Sequence, residues 1–120
     1  MTQPTVLRAD QAAVQHFPWG SLHWFANAQL GNSTALTLGE CRLNPGCHNP
    51  PHQHPNCEEI LHVVSGKILH HLQNHPPVEL NPGDTITIPP HTLHHAENIG
   101  PDQAVMTIAF SSPDRQTKGE

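Results

Sequence analysis

Two histidines one residue apart, His52 and His54, followed by a carboxylate at Glu59, restrict this chain more than any other stretch of it. In an extended backbone residues i and i+2 leave from the same face, so both imidazoles can reach one ion. Pro55-Asn56-Cys57 can turn the chain, and Ile60-Leu61-His62-Val63-Val64 then reads as a buried strand with Glu59 at its start. A carboxylate thereby returns beside two imidazoles. His94 lies just past Ile86-Thr87-Ile88, a second strand signal ended by Pro89-Pro90, and offers a fourth donor from elsewhere in the fold. Three nitrogens and one oxygen suit one divalent transition metal per chain, Zn, Fe, Ni, Cu or Mn, with coordination positions left open for a small molecule.

The surroundings of this stretch are built for short strands. Thirteen Pro and eight Gly punctuate the sequence, and no amphipathic helical pattern survives beyond about two turns. Only Ala9 to Gln15 looks helical. Strands are expected at Ser21 to Ala28, Thr34 to Leu43, His52 to His54, Glu59 to Val64, Lys67 to Gln73, Val78 to Leu80, Thr85 to Ile88, His94 to Asn98 and Ala104 to Phe110. About nine or ten such strands at this spacing make a sandwich or barrel. At 120 residues the chain is expected to be one domain, residues 1–120, with 1–20 as an N-terminal arm and 111–120 as a polar tail.

The segment from Gly46 to Asn98 resembles the two signature motifs of the cupins. Gly46, His52, His54, Glu59 and Gly66 stand in the register of the first, and Gly83, Pro89, His94 and Asn98 in that of the second. The one departure is His91, where the pattern asks for Gly. The resemblance implies an all-β, double-stranded β-helix (a jelly-roll barrel), with His52, His54, Glu59 and His94 as metal ligands. It also implies pairing into a homodimer and, in some dioxygenases this site resembles, a role for Glu59 as a base. The expected function is that of a metal-dependent enzyme, a dioxygenase, isomerase or lyase acting on a small oxygen-bearing organic molecule. The second expectation is a non-catalytic module that binds or senses a small ligand, because one fold hosts many functions. With no Tyr in the chain, cupin lyases that use a tyrosine base and thiol dioxygenases with a cysteine–tyrosine crosslink are disfavoured.

Glu58 competes with Glu59, but only Glu59 leaves the six residues before Gly66 that the motif has, and strand alternation turns Glu58 the other way. His62 and His95 are out of phase with the ligands. One of His70 and His71 is expected to face the interior. His48 and His91, in loops beside ligands, and Cys57, inside the ligand segment, are the candidate pocket residues. Asn98 reads as a structural residue that holds a strand end. Five Lys and Arg against ten Asp and Glu give a net charge of −5 without a basic cluster, which disfavours nucleic acid and anionic membrane as partners. Three cysteines, an odd number without a C-x-x-C pair, and an N-terminus lacking a signal-peptide pattern point to a reducing, cytoplasmic setting. Phe17, Trp19, Trp24 and Phe25, concentrated near the N-terminus, are expected to help form the dimer contact.

Overall fold

Strict side-chain alternation folds the chain into two facing sheets. The computed structural model describes residues 3–119, and their eleven strands are β1 (Ala13–Phe17), β2 (Gly20–Ala26), β3 (Thr37–Leu43), β4 (His52–Gln53), β5 (Glu59–Ser65), β6 (Ile68–Leu72), β7 (Val78–Leu80), β8 (Thr85–Ile88), β9 (His94–Asn98), β10 (Ala104–Phe110) and β11 (Lys118–Gly119). A six-stranded sheet runs β1-β2-β3-β10-β5-β8 and a five-stranded sheet runs β11-β4-β9-β6-β7. All the strand pairings are antiparallel. This is the double-stranded β-helix.

The alternation is clearest in β10, where Ala104, Met106, Ile108 and Phe110 are buried and the residues between them are half-buried. In β5 Glu59, Leu61 and Val63 turn inward. In β3 the inward set is Thr37, Gly39, Cys41 and Leu43, so Leu38 faces solvent, as does Leu36 just ahead of the strand. Apolar character alone would have turned β3 over. Its small residues face in because Trp24 lies across Gly39, where an added Cβ would meet the indole ring at 2.5 Å.

The barrel has a closed end and an open one. Leu43, Val63, Ile68, Met106 and Ala104 pack the closed end with no exposed surface. Asn98 binds the two sheets together there, donating from Nδ2 to the carbonyls of Leu43 (2.9 Å) and Asp102 (2.9 Å) while its Oδ1 accepts from the Gly100 amide (2.9 Å). Register carries Glu59 opposite Phe110, and His94 opposite both His52 and Leu72, to the other end.

Two expectations require correction at the chain termini. Ala9 to Gln15 is not a helix: only a 3-10 turn at Ala9–Gln11 forms, and the chain then pairs as edge strand β1, because β2 presents a free edge to it. Residues 111–119 do not fray. They cross the open end, where Pro113 accepts from the Ala28 amide, Asn56 bonds Asp114 and Gln116, and β11 pairs with β4. Of the aromatic residues near the N-terminus, Trp24 is buried, and Phe17 and Trp19 stack at 4.7 Å beside the interior cavity while Phe17 stays 38% exposed. Among the described residues no helix is long and apolar enough to cross a membrane.

Candidate metal centre

Glu59 enters from the six-stranded sheet, His52 and His94 from the five-stranded one, and His54 from the turn that follows β4. One donor atom from each lies within 4.8 Å of those of the other three. His54 Nε2 and His94 Nε2 are each 3.1 Å from Glu59 Oε1. The second nitrogen of every imidazole is anchored on backbone: His52 Nδ1 faces the Pro50 carbonyl at 2.7 Å, His94 Nδ1 that of Thr92 at 2.8 Å, and His54 Nδ1 that of Gln116 at 3.0 Å. A carbonyl only accepts, so each Nδ1 carries a proton and each ring turns its Nε2 toward the centre, where that nitrogen, once unprotonated, offers its lone pair.

The electrostatics fit a cation. His54 Nε2 is buried and has no hydrogen-bond partner among the described residues, and the carboxylate oxygen in front of it is another lone pair. A lone pair held against a carboxylate at 3.1 Å is repulsive until a positive charge comes between them. Burial alone would raise the Glu59 carboxyl, but the imidazoles of His54 and His94 outweigh it and hold the group well below the usual carboxylate range. Burial pushes His52 down to about 4, so it is neutral and free to coordinate at neutral pH. At His94 burial opposes the charged form, yet the bond to Glu59 wins and raises its proton affinity, so a metal ion takes the place of that proton.

The cluster sits at the floor of a cavity of about 270 Å³. Trp19, Leu22, Trp24, Leu61, Ile108 and Phe110 supply apolar wall. Arg115, Thr117, Asn49 and His70 supply polar groups beyond the four clustered ones. The Arg115 guanidinium lies 4.4 Å from the Trp24 ring centroid and 5.2 Å from that of Phe110, and Nη1 donates to Thr117 Oγ1. A guanidinium held against aromatic rings still has N–H donors to offer an anion.

The candidate pocket residues lie elsewhere. His48 bridges to Glu97, out of phase with inward Ala96 and Asn98, and is exposed with its ring 5.5 Å from that of His95. His91 is exposed as well. It adopts φ 62°, the left-handed conformation that explains the Gly of the motif, and its amide donates to the His54 carbonyl at 3.2 Å. Cys57 is packed in the apolar core, where burial raises its thiol, and it does not line the cavity. Glu58 is exposed and turned away from the cluster. Of the pair left open by alternation, His70 faces inward, opposite Ala96, while His71 stacks on His95 at 4.4 Å and bonds Glu97 at 3.0 Å on the outer face. Arg115 and Thr117 were not among the expected site residues. Their segment shows no strand periodicity, and only its crossing of the open end brings them to the site.

A family model described as a cupin domain matches residues 39–110. Germin-like protein 3-8 of Oryza sativa subsp. japonica is 32% identical over 85 residues, covering 68% of this chain and 38% of that protein. Oxalate oxidase 1 of Hordeum vulgare is 31% identical over 88 residues, covering 68% of this chain and 44% of that one. Among solved structures, KdgF from Halomonas sp. matches with a TM-score of 0.75 at 27% identity, over 92% of this chain and 96% of the other. The chain spans about two fifths to just over half the length of the curated relatives it matches.

Proposed function

The chain belongs to the cupin family, and from that membership we propose that it is a mononuclear metal-dependent enzyme acting on a small carboxylate-bearing organic molecule. The observation that carries this reading is the convergence of three backbone-anchored imidazoles and one ionised carboxylate beneath a cavity whose free cation is Arg115. His52, His54, Glu59 and His94 would hold the ion. Bound there, a divalent metal supplies a Lewis acid for substrate oxygens and, when redox-active, a means of handling O2. Arg115 draws the carboxylate into an apolar cavity, where the attraction is stronger than in water. The aromatic and aliphatic wall excludes water from the floor. In this proposal Glu59 serves as a ligand and not as the base, because a carboxyl held that far down is a weak proton acceptor at neutral pH.

A non-catalytic binding module is the second reading. It rests on the cavity wall, where, among the described residues and apart from the Cys41 thiol and the tryptophan indoles, His70, Asn49, Arg115 and Thr117 are the polar side chains outside the cluster. Protein purified without chelator or added metal is expected to carry about one divalent transition metal ion per chain by elemental analysis. Oxalate, named by a relative of the chain, is the first carboxylate to supply, under air and under nitrogen. Consumption supports the enzyme, saturable binding without consumption supports the module, and a chain that takes up no divalent metal refutes both.

The homodimer is proposed on a different surface from the aromatic one. Leu38, Ala109 and Ile60 are adjacent in register across β3, β10 and β5 on the outer face of the six-stranded sheet, with exposed Val64 further along β5. Apolar rows on a sheet face are commonly covered. Sedimentation equilibrium at micromolar protein is expected to give twice the 13.2 kDa chain mass. A Leu38→Glu, Ile60→Glu variant that sediments like the parent would show that this face is not the contact.

A further inference from the structure

We infer that His70 is a positioning residue for the molecule held at this centre, and that it selects a ligand carrying a hydroxyl group next to its metal-binding carboxylate. The inference rests on the proposed metal site. His70 is completely buried, yet neither Nδ1 nor Nε2 has a hydrogen-bond partner among the described residues. A buried polar atom left unpaired is costly, and an imidazole with both nitrogens unpaired is a conspicuous exception to the rule that buried polar groups are satisfied. Every other interior imidazole on this floor has its Nδ1 on a carbonyl. His70 alone is held by nothing but packing.

Its position says what the nitrogens are for. It lines the same cavity as the cluster, with its ring nearly parallel to that of His94 (16° between planes, centroids 5.7 Å apart). Its donor atoms are not part of the four-residue group whose atoms lie within 4.8 Å of one another, so it stands beside the centre without belonging to it. Ala96 stands opposite it in register, and Leu61 and Ile108, which also line the cavity, carry no polar side-chain atom. A molecule lying on the metal and reaching past His94 therefore meets one hydrogen-bonding side chain there. A neutral imidazole offers one N–H and one lone pair. A hydroxyl can meet whichever of the two nitrogens faces the cavity, accepting from the N–H or donating to the lone pair, whereas a carboxylate only accepts and a methyl does neither. With Arg115 available for the carboxylate, the fitted ligand class is a small hydroxy acid.

The test compares glycolate with acetate, which lacks the hydroxyl, by calorimetric titration of the protein loaded with Co2+. Wild-type protein is expected to bind glycolate more tightly than acetate. His70→Leu should keep its full complement of Co2+ and its acetate affinity while losing at least tenfold in glycolate affinity. His70→Asn, which keeps a donor and an acceptor, should recover part of that loss. In the metal-free state His70→Leu should melt no lower than wild type, because it removes two unpaired nitrogens from the interior; a residue kept for packing alone would lower the melting temperature and leave glycolate binding unchanged. Unaltered glycolate affinity in His70→Leu, loss of Co2+ from it, or a wild-type protein that binds glycolate no better than acetate would each overturn the inference. A wild-type protein that takes up no Co2+ would instead refute the metal reading, and this inference with it.

Discussion

Replacing His94 by alanine is expected to weaken metal binding by roughly 100-fold or more, since loss of even an outer partner of a metal ligand costs about 10- to 100-fold. His94 is the central member of the proposed donor set: it lies in register with His52, it contacts Glu59 through Nε2, and its Nδ1 is fixed on Thr92. The fold should survive, because the closed end is packed by Leu43, Val63, Ile68 and Met106 without help from the site. Competition against a chromophoric chelator, with circular dichroism as the control for folding, measures both. Glu58→Gln serves as the matched control and should bind metal like wild type, its side chain being exposed. A His94→Ala protein with undiminished affinity would dismiss the four-donor centre, and a Glu58→Gln protein that lost its metal would transfer the carboxylate ligand to Glu58.

Metal-free protein is expected to lose several kcal/mol of stability between about pH 6.5 and pH 4. Burial lowers His52 and His70 to about 4. The folded state then binds fewer protons than the unfolded chain across that window, so stability is complete above the ordinary imidazole pKa and drains away as the pH falls. A drop from about 6.5 to about 4 amounts to roughly 3 kcal/mol for each imidazole. Glu59, held low by His54 and His94, acts in the same direction but further down, where its own protonation begins. His94 acts in the opposite direction: its raised proton affinity favours the fold at low pH, and that contribution is lost as pH rises through its folded value. Urea midpoints measured across the window check the sum. The decline should shrink in His70→Leu, which removes one of the two depressed imidazoles, and an identical decline in that variant would show that His70 is not responsible. Bound metal should move the His52 share of the decline to lower pH, because protons must then compete with the ion for that imidazole.

The four-donor set was legible because three of its members follow one another within eight residues and the resemblance to the cupin motifs joined His94 to them. His52 and His54 share a face through strand geometry alone, Glu59 was distinguished from Glu58 by its distance from Gly66 and by alternation, and the flanking glycines and prolines mark where the chain turns. The structural role of Asn98 was legible in the same way, although its partner Leu43 in the opposite sheet was not. Alternation also limited the interior histidine to one of two neighbours. It could not choose between them, since phase along a strand says nothing about which face looks inward; the pairing of β6 with β9, which sets His70 opposite Ala96, made that choice. The helix expected at Ala9 to Gln15 failed because a weak local pattern gave way to the free edge of β2. The segment 111–119 failed for a similar reason. A polar run with a proline has no periodicity to read, and its order comes from long-range bonds to Ala28, Asn56 and β4. Short-range spacing is thus sufficient to specify ligands that follow one another on a strand or a turn. Arg115 and His70 answer to contacts between residues far apart in the chain, and those exist only once the two sheets have closed on each other.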